Sequence, residues 1–210
     1  MKELSIDNFQ KIKMLDKFMI GHKGFIAGGC FKNILNNEKI KDIDIFFNDY
    51  LDYENATRYF DTMTPNYEGD DKRNEEYIFL YQNDNVKAYK HIDTGITLEL
   101  CQKVFGTAEQ VINMFDFTIT KFAYYKEFNE KQEVEYKIIC ADDFFEHLHT
   151  KRLVTDDKIL YPMSTFERMI RYIKYGYMPC RETKIKIATA INKMSREEII
   201  ANKSLYDGLD

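Results

Sequence analysis

Proline is scarce in this chain of 210 residues, at three positions, and cysteine occurs only four times. With an ordinary apolar content, that scarcity excludes a disordered, low-complexity chain. Cys30, Cys101, Cys140 and Cys180 stand singly. No Cys-x-x-Cys pair is present, which argues against a structural zinc site and for free thiols in a reducing compartment. No apolar run approaches the roughly 20 residues that cross a bilayer. The stretch Met1–Asp7 lacks the apolar core of a signal peptide. These absences predict a cytoplasmic globular protein with no membrane partner. No internal repeat or low-complexity linker is found. The length suits one domain, or one domain with a small helical extension.

Charge is uneven. The net charge of −5 argues against a general nucleic-acid binder. Residues 151–193 carry ten Lys and Arg against four Asp and Glu, whereas the first 150 carry 18 against 27. A basic C-terminal region beside an acidic site suits a polyanion such as RNA; a solvated helix face is the alternative. His147 and His149 lie two apart on a predicted helix, do not face each other, and read as surface residues.

Along the chain, residues 7–20 predict an amphipathic helix. Asp7 and Gln10 form its capping box, and Phe9, Ile12, Leu15, Phe18 and Met19 its apolar stripe. A strand is expected at 25–27, a short helix at 30–36, a strand at 42–47 and a helix around 51–63. Residues 65–75 read as a loop. Three strands follow, at 77–81, 86–92 and 96–101, joined by turns at Asp84-Asn85 and Asp93-Thr94-Gly95. A helix starts within 106–113, the apolar run 114–125 reads as helical, 126–135 as a charged loop, and 136–140 as a strand. Beyond 141 the pattern is helical. Ser164 to Glu167 caps a helix to about Tyr175, and two more cover 181–193 and 195–203, with Ser195 and Glu198 capping the last. The organisation is an α/β head over 1–140 and a helical, neck-like extension over 141–210.

The chemistry gathers in residues 25–47. Gly28-Gly29 sits between a strand and a helix, where backbone N–H groups can approach phosphates; a tight turn is the plain alternative. Asp42 and Asp44 share one face of a strand otherwise made of Ile43, Ile45, Phe46 and Phe47. Two carboxylates there repel each other and are costly to desolvate, a cost that Mg²⁺ or Mn²⁺ would remove. The alternative is a strand end that turns them to water. Glu99, between Leu98 and Leu100, is a third metal ligand, a base for an acceptor hydroxyl, or a solvent-facing residue.

The order of these motifs resembles the DNA polymerase beta-type nucleotidyltransferase superfamily. Within it the likeness is to the head domain of bacterial CCA-adding enzymes and poly(A) polymerases. Their Gly-Gly-x-Val-Arg-Asp-x-Leu run is matched by Gly28-Gly29-Cys30-Phe31-Lys32-Asn33-Ile34-Leu35, with Lys32 keeping a positive charge. Their Asp-x-Asp is matched by Asp42-Ile43-Asp44. Their Arg-Arg-Asp-Phe-Thr-Ile-Asn-Ala run is matched by Met114-Phe115-Asp116-Phe117-Thr118-Ile119-Thr120-Lys121, without the two arginines. A basic helix follows, with Arg168, Arg171 and Lys174 every three residues. The matches span about residues 24 to 176.

The resemblance implies an α+β fold, a nucleotidyltransferase-like mixed sheet flanked by helices, with a small C-terminal helical extension. It implies Mg²⁺ or Mn²⁺ held by Asp42, Asp44 and Glu99, and a nucleoside triphosphate such as ATP as substrate. The nucleotide would be bound by Gly28, Gly29, Lys32, Asp116, Thr118, Arg168 and Arg171. The expected reaction transfers a nucleoside monophosphate to an acceptor hydroxyl of RNA, a protein or a small molecule and releases pyrophosphate, with RNA favoured by the basic 151–193 region. No Glu-Asp-x-x-Arg pattern for selecting C and A is found, and the chain stops soon after the basic helix, so CCA addition itself is not expected. The alternative is a non-catalytic nucleotide- or protein-binding module on the same fold.

Overall fold

The computed structural model describes residues 1–64, 76–129 and 131–204. Its residues form two compact units. The first comprises Met1–Asn113 with Thr120–Ala141, and the second Met114–Ile119 with the residues from Asp142 on. No helix among the described residues is long and apolar enough to cross a membrane.

The first unit is built on eight strands. They are β1 (Lys2–Leu4), β2 (Phe25–Ala27), β3 (Asp42–Phe47), β4 (Tyr77–Gln82), β5 (Val86–His91), β6 (Thr97–Phe105), β7 (Phe122–Phe128) and β8 (Val134–Cys140). They form one mixed sheet in the order β1-β8-β7-β2-β3-β6-β5-β4. Among the described residues of this sheet, only the β3–β6 pair is parallel. Helices α1 (Cys30–Leu35), α2 (Tyr50–Thr62) and α3 (Ala108–Asn113) flank it.

One sheet face is the core. Ile43, Ile45, Leu98 and Leu100 project there and are fully buried. α2 covers it with aromatic contacts: Tyr53 meets Phe47 edge-on, and Phe60 stacks on Tyr89 at 5.2 Å. Asp49 caps α2 by accepting a hydrogen bond from the Asp52 amide at 2.9 Å.

The amphipathic helix expected over 7–20 is present as 3-10 helix, in two runs, Ile6–Asn8 and Gln10–Met19. Ile12, Leu15 and Phe18 recur every three residues and are fully buried. That spacing eclipses side chains on a three-fold helix and forms one straight stripe. The cap also moves. Ser5 accepts from the Asp7 amide at 3.2 Å, while the Gln10 side-chain amide donates to the Asp7 carbonyl.

Two further expectations fail. Residues 114–125 are not a helix: a 3-10 turn, Thr118–Thr120, leads into β7. Phe122, Ala123 and Tyr124 are all buried, so the run carries no alternation to mark it as a strand. The charged loop predicted over 126–135 is strand at both ends, with β7 reaching Phe128 and β8 opening at Val134, and the loop is confined between them. The loop predicted over 65–75 lies outside the described residues.

The second unit holds α4 (Phe144–His149), β9 (Arg152–Leu153), α5 (Pro162–Lys174), β10 (Met178–Pro179), α6 (Arg181–Asn192) and α7 (Arg196–Ser204). β9 and β10 pair in parallel. α5 opens at Pro162, two residues before the predicted cap; proline suits the first helical position because its missing N–H is not needed there. Ser164 and Thr165 are therefore buried inside the helix, where Thr165, Met169 and Tyr172 form its inner stripe. The capping box of α7 stands as expected: the Ser195 amide donates to Glu198 at 2.7 Å, and the Glu198 amide donates to the Ser195 hydroxyl at 3.1 Å. His147 is not on the surface. It is buried and shares a 2.7 Å hydrogen bond with the Thr118 hydroxyl.

His22 ties the first unit together at its N-terminal end. Its Nδ1 accepts from the Gly24 amide at 3.0 Å, which leaves Nε2 to donate to the Phe18 carbonyl at 2.9 Å. Only the neutral ring satisfies both. Burial lowers its pKa from 6.5 to about 4. The unfolded chain therefore takes up this proton first as pH falls. The stability contributed by His22 is present above pH 6.5 and is lost as pH falls toward 4, a loss of up to about 3 kcal/mol. Urea titrations across that range should show a shallower pH slope in His22→Gln than in the wild type; equal slopes contradict this account.

Candidate functional site

The site begins with register. β3 and β6 run in parallel with Asp42 opposite Thr97 and Asp44 opposite Glu99. Asp42, Asp44 and Glu99 thus lie on one face of the sheet, opposite the buried Ile43, Ile45, Leu98 and Leu100. Ala27 of β2 pairs with Asp44 and Ala88 of β5 pairs with Glu99. The two carboxylates therefore stand between alanines, which do not fill the space above them.

The electrostatics are those of uncompensated negative charge. The Asp44 pKa is raised to about 7, first by burial, then by the charges of Glu99 and Asp42 and a hydrogen bond with Glu99. Asp42 is raised as well, by desolvation, with Lys41 opposing. Tyr81 donates from its hydroxyl to Glu99 Oε1 at 2.6 Å. Two thiols feel the same field. Cys30 and Cys101 are buried, and both pKa values are pushed up by burial first and then by Asp44.

The donors are all hard oxygens, the type that suits Mg²⁺ or Mn²⁺. Among the described residues, no three His, Cys, Asp or Glu side chains converge as a ready-made metal cage. Magnesium does not require one. It commonly takes one or two carboxylates and completes its shell with water and substrate phosphates. Asp42 and Asp44, with their raised pKa values, fit that mode.

Gly28 follows Ala27 directly and so places the Gly-Gly turn at the end of the strand beside Asp44. Its φ of +103° demands glycine. Its N–H donates to the Phe122 carbonyl at 3.0 Å and is thus used by the fold. Gly29 precedes the first turn of α1. Lys32 on α1 is buried; its ammonium bonds the Asn33 side chain and lies 3.5 Å from Glu38.

The other expected nucleotide-binding residues belong to the second unit. Asp116 accepts from Arg168 Nε at 2.6 Å. Thr118 is buried, with its hydroxyl on His147 and its N–H on the Val154 carbonyl at 3.0 Å. Arg171 lies half-buried on α5, three residues after Arg168. Asp116 thus orients an arginine, and Thr118 locks the turn that carries it. The expected residues fall into two groups, Gly28, Gly29, Lys32, Asp42, Asp44 and Glu99 in the first unit and Asp116, Thr118, Arg168 and Arg171 in the second.

This architecture is a nucleotidyltransferase-like fold. A CCA-adding enzyme solved with ATP superimposes at a TM-score of 0.59 and 15% identity, covering 96% of this chain and 51% of its own. One solved with CTP gives 0.58 and 16%, covering 92% and 47%. The Thermotoga maritima CCA-adding enzyme, solved with tRNA, gives 0.57 and 16% with the same coverage. The profile of the Gabija anti-defense 2 family matches residues 4–151, and the chain belongs to that family. A curated relative, Gabija anti-defense 2 of Bacillus phage SPbetaL7, is 24% identical over 174 residues, covering 79% of this chain and 36% of the relative. The chain thus spans about a third of that relative's length and about half that of the solved enzymes.

Removing one crowded charge has a clear consequence. At pH 8 and without divalent metal, Asp44→Asn should be more stable than the wild type by about 1–3 kcal/mol. Thermal melts in EDTA read this directly, and a less stable variant contradicts the electrostatic account.

Proposed function

We propose that this protein is a divalent-metal-dependent nucleotidyltransferase that moves a nucleoside monophosphate from a nucleoside triphosphate to an acceptor hydroxyl. The observation that carries this is the in-register pair Asp44 and Glu99, with Asp42 on the same face. When bound, Mg²⁺ would neutralise charge on the triphosphate and polarise its α-phosphorus.

Asp42 and Asp44 hold the metal, and the Gly28-Gly29 turn leaves room for the phosphates beside Asp44. Glu99 takes the proton from the acceptor hydroxyl. The acceptor oxygen bonds to the α-phosphorus, the bond from that phosphorus to the bridging oxygen of the β-phosphate breaks, and pyrophosphate leaves with the electron pair. In the second unit, Asp116 orients Arg168, which with Arg171 offers positive charge to a phosphate group. The basic 151–193 region favours an RNA acceptor. The names of the family and of its phage relative suggest the setting: nucleotide transfer that counters Gabija defence.

A specific observation favours a second reading, a binding module without catalysis. The Gly28 N–H is taken by Phe122 and the Lys32 ammonium by Asn33 and Glu38, so two groups expected to grip phosphate are engaged by the fold.

The two readings part in a transfer assay. Each labelled triphosphate is incubated with the protein, Mg²⁺ or Mn²⁺, and RNA or protein acceptors. Incorporation should fall at least about 100-fold in Asp42→Asn and in Asp44→Asn, the loss of several kcal/mol of charge stabilisation. No incorporation with any triphosphate supports the binding module instead, and equal incorporation in the variants overturns the role given to Asp42 and Asp44.

A further inference from the structure

β4 is an edge strand, and its pairing with β5 is irregular. Phe79 lies opposite Tyr89, yet the next residue of β5, Ala88, lies opposite Tyr81. Leu80 is therefore an extra residue, a bulge. In an unbroken ladder Leu80 would stand opposite Ala88, and Tyr81 would point to the other face of the sheet. The extra residue reverses this and puts Tyr81 in the row Tyr81, Ala88, Glu99, Asp44 across β4, β5, β6 and β3. Tyr81 and Glu99 are two strands apart, about 9.6 Å along that row. Their side chains meet at 2.6 Å over Ala88, whose methyl leaves the path open. The Tyr81 ring remains 38% exposed, so core packing does not account for its placement. Bulges of this kind re-aim side chains next to functional sites.

We propose that Tyr81 is a positioning residue for the carboxylate site: its hydroxyl, delivered by the bulge in β4, fixes Glu99 beside Asp44 and so pre-orients the site for a divalent cation. This rests on the metal-dependent reading above. By holding Oε1, Tyr81 restrains the Glu99 side chain, which also shares a hydrogen bond with Asp44. Without the hydroxyl, Glu99 loses one of these two restraints, and the site loses alignment rather than charge.

The test is Mn²⁺ binding to the metal-free protein without nucleotide, read by electron paramagnetic resonance of free Mn²⁺. Tyr81→Phe keeps the ring and removes only the hydroxyl. It should weaken Mn²⁺ binding about 10–100-fold, as loss of an outer hydrogen-bond partner does at metal sites. Its melting temperature in EDTA should match the wild type, which separates positioning from folding. A second variant, deletion of Leu80, keeps the tyrosine and removes the bulge; in a folded deletion protein Mn²⁺ binding should weaken as it does in Tyr81→Phe. Asp44→Asn controls for the underlying reading. If Asp44→Asn abolishes binding while Tyr81→Phe binds like the wild type, the positioning role is overturned and the metal site stands. If Asp44→Asn and the wild type bind alike, or neither binds, the metal-dependent reading falls and the positioning role with it.

Discussion

Like charge held in register governs this molecule. The parallel pairing of β3 with β6 sets Asp44 opposite Glu99, with Asp42 two residues away on the same face. Burial first, and then the charges of Glu99 and Asp42, raises the cost of ionising Asp44, and its pKa of about 7 expresses that cost. The fold keeps them there because the opposite face is fixed. Ile43, Ile45, Leu98 and Leu100 are fully buried, and a one-residue slip of either strand would exchange them with the acids. Hydrophobic burial thus enforces an electrostatically unfavourable cluster, an arrangement that a cation and a triphosphate would relieve.

The surroundings serve that cluster. Alanines flank it at positions 27 and 88, and the Gly-Gly turn leaves β2 beside it. Tyr81 reaches it from the sheet edge by way of a bulge. The second unit has its own organisation, in which the Asp116–Arg168 pair and the Thr118–His147 bond hold the Asp-Phe-Thr-Ile turn. The chain belongs to the Gabija anti-defense 2 family and has a nucleotidyltransferase-like fold.

Much of this was legible in the residues. Asp42 and Asp44 announce themselves by their i, i+2 spacing on an apolar strand, and β3 runs over the six residues expected. Local signals also placed α2, the β4–β5–β6 meander and the cap of α7. The failures share a cause. Residues 117–124 are buried without a break, so no period separates strand from helix there. The 3-10 character of Gln10–Met19 lies in a three-residue spacing close to that of an α-helix. Glu99 was visible as an acid on an apolar strand, but its partnership with Asp44 is a non-local pairing that no single segment records. Tyr81 was hidden for a different reason: alternation assigns it to the wrong face, and only the bulge corrects this.

The central claim is that Asp42 and Asp44 hold a cation, with Glu99 beside them. It is tested most directly by anomalous diffraction from crystals grown with Mn²⁺ and a non-hydrolysable nucleoside triphosphate. The account predicts an anomalous peak on the Asp42–Asp44 face, within coordination distance of both aspartates and of the triphosphate oxygens. A bound triphosphate with no peak there, or with Mn²⁺ elsewhere, contradicts it.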